Sequence, residues 1–536
     1  MPSRVRPYLL LTLLCALLFL PGIASIPPID RDEARFMQAT KQMLETGDWI
    51  QIRFQDEPRN KKPIGIYWLQ ATAVKALGQD LTATWPYRLP SVLAAWLAVM
   101  MTCYAGRRLF NPRAGLIAGA ALATSFIVVF EAHIAKTDAT LLAATTAAMA
   151  MLAVMYTSRE TSLRHALWFW LALGVGILIK GPVILLVAGA TIVALGIADR
   201  DMRLLKSLRV ELGIPIVLIV VLPWLIAISS TGQSSFVGDA LRQDLLPKLI
   251  GGAESHGALP GTYLLSSLLT AWPWSVLAPF VLIAGWKHRT QPAVRFCLAW
   301  LIPAWIVFEI VPTKLPHYTM PLYPALMLLT GWALSETAES QTLLRNMLSR
   351  FGSAYRILWA LVAAAMGAAI VYATMTYGQV AWLGASAAAL AAIFAGVWAV
   401  FFIRRSQAWI GLAAASLLFG FFVFGGTMPY LERLAVSVRL SAALAPFSEP
   451  AALAEFHEPS AVFLLGTHTR LTTVEGAVAY AMSAPDRPAV IPKAAMETAR
   501  ARAEGREIVS RGDVSGYNYS RSKPVDLVVI VIGGPR

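Results

Sequence analysis

The sequence predicts an all-α polytopic membrane protein followed by a small C-terminal α/β domain. Three observations carry that expectation: an apolar composition, a series of apolar runs of spanning length, and a shift to polar sequence near residue 430. The chain has 536 residues, of which 57% are hydrophobic and 14% charged. Soluble domains lie near 45–50% apolar and about 25% charged. The mean hydropathy is +0.60. Three cysteines, Cys15, Cys103 and Cys297, each sit in an apolar run. Their spacing fits neither a disulfide frame nor a metal site.

A spanning helix needs about 20 mostly apolar residues, within a range near 17–25. About thirteen runs qualify on that measure. They centre on 8–26, 89–106, 114–131, 139–156, 166–179, 182–198, 212–229, 264–284, 294–311, 319–335, 356–377, 381–403 and 408–426. The fifth and sixth are short and share the break Lys180-Gly181-Pro182, so a re-entrant pair is the competing reading. At the N-terminus, Arg4 and Arg6 precede an apolar run that ends in Gly22, Ala24 and Ser25. A secretory leader has that order of features, but the length from Tyr8 to Ile26 suits a span.

The net charge of +14 raises nucleic acid as a partner, and the positions of the charges argue against it. Alternate short loops hold the cations: Arg4 and Arg6, Arg107 to Arg113, Arg159 and Arg164, Arg200 to Arg209, Lys287 and Arg289, Arg345 and Arg350, and Arg404 and Arg405. The positive-inside rule makes this set cytoplasmic. Segments 27–88 and 230–262 and the chain beyond about 430 then lie outside.

The polar residues in unusual places fall on that outer side. Asp30-Arg31-Asp32-Glu33-Ala34-Arg35-Phe36 opens the first outer loop. Phe36, Met37, Thr40, Met43 and Leu44 then form one stripe at helical spacing, predicting an amphipathic helix in the membrane interface. Asp32 and Glu33 read either as an ordinary helix N-terminus or as carboxylates held at the membrane surface. Lys61 and Lys62 either snorkel to headgroups or bind one lipid phosphate. Further outer turns carry Lys136-Thr137-Asp138, Lys180, Glu254-Ser255-His256 and Lys314-Leu315-Pro316-His317-Tyr318. Taken singly, each is an ordinary interface anchor. Together they bring acids, cations and histidines from five segments to one depth.

The ordered set resembles the GT-C superfamily, in the dolichyl-phosphate-mannose protein mannosyltransferase group. Within it the set is most similar to bacterial lipid A aminoarabinose transferases. The matching segments are Asp32-Glu33-Ala34-Arg35-Phe36, Met43-Leu44-Glu45-Thr46-Gly47-Asp48-Trp49, Lys61-Lys62-Pro63 with Tyr67-Trp68, Thr137-Asp138, Lys180-Gly181-Pro182, and Lys314 to Tyr318 with Pro321. They cover roughly 1–430. Two positions depart from the family pattern. Lys61 stands where the family has an acid, and Phe36 where it has a tyrosine.

The resemblance implies a transmembrane catalytic domain over 1–430 and an extracytoplasmic domain over 431–536. It implies an inverting glycosyltransferase of the bacterial inner membrane, with its active site on the periplasmic side. The donor would be a polyprenyl-phosphate sugar, and the acceptor a lipid or glycan, first lipid A or lipopolysaccharide core. Asp32 and Asp138 would be catalytic. Lys62, Arg35 and Lys180 would bind the donor phosphate. Glu33, Lys61, Tyr67, His256, Lys314 and Tyr318 would contact substrate. The family allows a divalent cation, but two aspartates fall short of the six or more oxygens a hard cation prefers, so no metal is assigned.

Protein O-glycosylation is the alternative within this fold. A lipid-linked sugar flippase is the alternative from another class. Flippases and other carriers commonly show inverted repeats and midplane polar sites, which the sequence lacks. A polymerase or ligase using a pyrophosphate-linked oligosaccharide is a third reading.

Beyond 430, Ala461–Gly466 and Val525–Gly533 read as buried strands, and Thr473–Met482 and Lys493–Ala503 as helices. Arg500, Arg502, Arg506, Arg511, Arg521 and Lys523 read as a solvated basic face or as contacts to anionic headgroups.

Overall fold

A computed structural model describes residues 2–158, 163–201, 203–231, 236–247, 257–335, 352–378, 381–403 and 407–533. Each apolar run expected to span falls on helix. Among the described residues, eight helices are long and apolar enough to cross a bilayer alone. They include α4 (Trp85–Leu109), α7 (Thr137–Thr157), α8 (Leu163–Lys180), Val210–Ser230 and Pro292–Ile310. The helices α5 (Pro112–Ala123) and α6 (Phe126–Ala132) pass the same test as a pair bent by 61°. The remaining runs are shorter helices or broken ones. Among them are α1 (Pro2–Phe19) and α9 (Val183–Asp199).

The bend between α5 and α6 has a chemical cause. Backbone groups freed in an apolar medium need partners. Thr124 Oγ1 donates to the Ala120 carbonyl at 2.7 Å, and Ser125 Oγ to that of Ala121 at 2.8 Å. The Phe126 amide leaves the helix ladder and donates to the Trp272 carbonyl. The turned segment α6 then carries Glu131 toward the polar end of the bundle.

The segment between the first two apolar runs folds as α2 (Asp32–Thr46), a two-stranded ribbon β1 (Arg53–Phe54) and β2 (Glu57–Pro58), and α3 (Gly65–Leu77). Two acids in the first turn suit the α2 dipole, and Gly47 ends the helix at φ +71°. The helix is buried from Glu33 to Met43 apart from Arg35. This differs from the interfacial helix expected. The apolar stripe packs on α3. The polar stripe faces the C-terminal region, where Lys41 Nζ donates to the Phe463 carbonyl and Gln38 Nε2 to Thr467 Oγ1. A hydropathy pattern cannot distinguish water from a polar protein surface.

The C-terminal region holds a five-stranded sheet in the order β4-β3-β5-β7-β6. The strands are β3 (Ala452–Ala454), β4 (Arg470–Thr472), β5 (Ala489–Pro492), β6 (Ile508–Asn518) and β7 (Lys523–Ile532). β3 pairs in parallel with β4 and β5, and β7 is antiparallel to β5 and β6. Alternate residues of β7 face opposite cores. Val528 and Ile530 meet the Val474–Met482 and Met496–Arg502 helices, while Leu527 and Val529 meet the Val436–Leu444 helix.

Residues 461–466 correct the expectation of a strand: 461–465 belong to the helix Pro459–Leu465, and Gly466 caps it. Six apolar residues do not distinguish strand from buried helix. Pro459 stands at the first turn, which favours helix, and Gly466 at φ +116° closes it. The other predicted elements here form as read.

Candidate active site

The segments expected on the outer side converge on one cavity of about 690 Å³. This falls in the usual range for small-molecule sites, roughly 300–1,000 Å³. Its charged end takes Asp32 and Arg35 from α2, Arg59, Lys61 and Lys62 from the turn before α3, Lys136 and Asp138 from the start of α7, Lys180 from the end of α8, and His317 and Tyr318. The rest of its lining is largely apolar. Leu178, Leu186, Val221, Leu225 and Phe308 line it from the surrounding spans.

The charged end is built on a buried fork. Arg88 is fully buried, with Nε 2.8 Å from Glu33 Oε1 and Nη2 2.9 Å from Oε2. The remaining guanidinium hydrogens go to the carbonyls of Ile23, Ile26 and Pro27. Glu33 also accepts the amides of Ile29 and Ala135, both at 2.8 Å. Glu33 therefore does not line the cavity. It ties together the first loop, α4 and the 132–138 turn, and so sets its neighbour Asp32 and Ala135's neighbour Lys136 on one wall. A bidentate arginine–carboxylate pair is suited to this because its geometry is fixed.

A second buried network lies deeper. Lys180 Nζ is 2.5 Å from Asp138 Oδ1. Lys136 Nζ is 2.9 Å from Glu131 Oε1 and 3.6 Å from Asp138 Oδ2. His317 sits between the two carboxylates, with Nδ1 3.7 Å from Glu131 Oε1 and Nε2 3.6 Å from Asp138 Oδ1. Burial disfavours the Lys136 ammonium, but Glu131 and Asp138 outweigh it and hold its pKa above the ordinary lysine value. Two acids and two lysines balance, as buried charges must. Lys180 also lies 5.3 Å over the Tyr318 ring, a cation–π contact. Gly181, at φ +73°, reverses the chain straight after Lys180.

Of the residues expected at the site, Asp32, Arg35, Lys61, Lys62, Asp138, Lys180 and Tyr318 line the cavity. Tyr67 lies behind the lining, its ring centroid 5.4 Å from that of Phe36. Lys314 also stands off the lining. Its Nζ donates to the carbonyls of Ala258 and Val311, which fixes the strand segment that presents Thr313 and Leu315. His256 lies outside the described residues. The sequence reading did not assign Glu131, His317, Arg59 or Lys136. Glu131 carried a usable signal, since an ionisable residue inside an apolar run is a functional candidate by default. Among the described residues, no group of three or more His, Cys, Asp or Glu is arranged to hold a metal ion.

The apolar spans, the buried charge network and a cavity lined by both cations and apolar side chains together describe a multi-pass membrane protein. The family model described as dolichyl-phosphate-mannose-protein mannosyltransferase matches residues 61–226. Similar proteins include the undecaprenyl phosphate-α-4-amino-4-deoxy-L-arabinose arabinosyl transferase of Pseudomonas paraeruginosa, 29% identical over 62% of this chain and 60% of the relative. The enzyme of that name from Yersinia pestis is 27% identical over 76% of this chain and 74% of its own. The chain thus spans 60% and 54% of the length of the first two relatives it matches. The crystal structure of ArnT from Cupriavidus metallidurans bound to undecaprenyl phosphate superposes with a TM-score of 0.76, at 20% identity, over 98% of both chains. An oligosaccharyltransferase from Archaeoglobus fulgidus gives 0.54 at 11% identity, covering 93% of this chain and 71% of that one.

Proposed function

We propose that the protein transfers a sugar from a polyprenyl-phosphate carrier to an acceptor outside the cytoplasm, first lipid A or lipopolysaccharide core. One observation carries the reading: a single cavity is lined both by clustered cations and by apolar side chains of the surrounding helices, which suits a phosphate-headed lipid. The curated relatives are named for an undecaprenyl phosphate-linked donor, and a similar structure holds undecaprenyl phosphate.

In the proposed reaction an acceptor oxygen attacks C1 of the sugar. The bond from C1 to the phosphate oxygen breaks, and the lipid phosphate leaves with the bonding electrons. Preplaced cations stabilise that growing charge. Lys62, Arg35 and Lys180 take this role, with Arg35 able to fork across two phosphate oxygens. Asp32 orients an acceptor hydroxyl and takes its proton. For a phosphate acceptor, already anionic, Asp32 positions without deprotonating. Asp138 holds Lys180 and is the second catalytic carboxylate. Lys61 and Tyr318 contact the sugar or acceptor. Glu33, Tyr67 and Lys314 contribute by building the wall.

The distribution of basic loops supports a cell inner membrane location, with this cavity and the region after 430 on the periplasmic side. A division into a membrane domain over 1–430 and an extracytoplasmic domain over 431–536 agrees with separate cores in the two parts.

Mass spectrometry of lipopolysaccharide and exported proteins from a deletion strain tests the reading. Loss of one sugar mass from the glycolipid, restored by the wild-type gene and not by Lys62→Ala, is expected. An unchanged glycolipid together with a lost protein glycan would move the acceptor to protein.

A further inference from the structure

The buried network sets Glu131 and Asp138 against Lys136 and Lys180, with His317 between the two carboxylates. Nδ1 of His317 lies 3.5 Å from Lys136 Nζ. That contact suits a neutral imidazole whose Nδ1 accepts, leaving Nε2–H directed at Asp138. Histidine is also the residue type whose ordinary titration falls between pH 5 and 8. An anion entering the cavity adds negative charge beside a group already held between two carboxylates, and binding and protonation are then linked.

We infer that His317 is a positioning residue that takes up a proton from water when an anionic lipid phosphate enters the cavity. As imidazolium it serves as counter-ion to Asp138 and Glu131. Lys180 and Lys136 are then relieved of part of that duty and turn their charge toward the phosphate. The inference rests on the polyprenyl-phosphate reading above. The charged groups facing His317 are Glu131 on α6, Lys136 in the following turn, Asp138 on α7 and Lys180 at the end of α8. Tyr318 adjoins it, its ring nearly perpendicular at 5.0 Å. Asp32, Arg35, Arg59, Lys61 and Lys62 line the same cavity.

The test is calorimetric binding of a short-chain polyprenyl monophosphate to the detergent-solubilised full chain. It is run at one pH in two buffers of different ionisation enthalpy. The ligand's own second ionisation, with a pKa near 6, contributes to every protein alike, so the difference between proteins is read. Wild type is expected to take up more protons on binding than His317→Gln. His317→Lys, permanently cationic, is expected to lose less affinity than wild type between pH 6 and 8. Equal proton uptake in wild type and His317→Gln overturns the inference, and so does a His317→Lys pH profile parallel to wild type. If the Gln variant does not fold, the Lys profile decides. Failure of wild type to bind the lipid phosphate removes the functional reading itself, and this inference with it.

Discussion

Arg88 and Glu33 meet through two parallel hydrogen bonds, 2.8 and 2.9 Å long, with no solvent on either side chain. The pair fixes where the charged wall of the cavity stands although neither residue lines it. Removing one partner of such a pair leaves a buried charge uncompensated, at a cost of about 3–5 kcal/mol. Glu33→Ala is therefore expected to lower the melting temperature sharply and to lose activity with it. Lys62→Ala is expected to melt like wild type and still lose transfer. Thermal melts of both variants in one detergent separate the two behaviours.

Lys180 and Asp138 form one unit, so their substitutions should not add. Lys180→Met leaves Asp138 with Lys136 and His317, while the double variant with Asp138→Asn removes both charges. A coupling energy of about 0.5–3 kcal/mol is expected for groups in direct contact. A double-mutant cycle on kcat/KM measures it, and additive losses would mean the two act independently.

The apolar end of the cavity is assigned to the carrier tail. Leu186→Trp should narrow the channel, and KM is expected to rise for a long-chain donor. Transfer from a donor truncated to one or two isoprene units should be retained. Initial rates with the two donors check this, and equal effects on both would place the tail elsewhere.

Asp30 joins the first outer loop to the C-terminal region. Its carboxylate accepts the Ser460 amide at 2.8 Å and the Ser460 hydroxyl at 2.7 Å. Burial nevertheless pushes its pKa up to about 7 from the model-compound value of 3.8. A folded-state pKa above the unfolded one means the neutral acid is favoured in the folded protein. The stabilisation is complete below the unfolded pKa and is lost as pH rises through the folded value. The junction is expected to loosen between about pH 4 and 8, and Asp30→Asn to flatten that dependence. Hydrogen exchange at Ser460 across this range provides the measurement.

Much of this was legible in the sequence because bilayer physics leaves a strong trace. Apolar runs of spanning length and alternating basic loops located the helices and one common side. Asp32, Lys62, Asp138 and Lys180 were marked out by the ordered motifs of the family resemblance, since each taken singly reads as an interface anchor, and they line one cavity. Arg88 was not, since a cation at the head of an apolar helix reads as a snorkelling anchor until its buried carboxylate partner is known. Glu131 carried a signal as a carboxylate in an apolar run, but its place in the network was hidden because nothing local announces the bend before α6. Helix Pro459–Leu465 read as a strand because period is undefined over six uniformly apolar residues.

Single-turnover transfer in proteoliposomes tests the central claim most directly. The reaction contains purified protein, radiolabelled polyprenyl-phosphate sugar and lipid A. Wild type is expected to form a labelled glycolipid. Lys62→Ala and Asp32→Asn, folded alike, are expected to lose at least about 10²-fold in rate, the scale for removing one preorganised charge or a general base. Unimpaired transfer by both variants would contradict the account, and so would movement of intact donor across the bilayer without a new glycosidic bond.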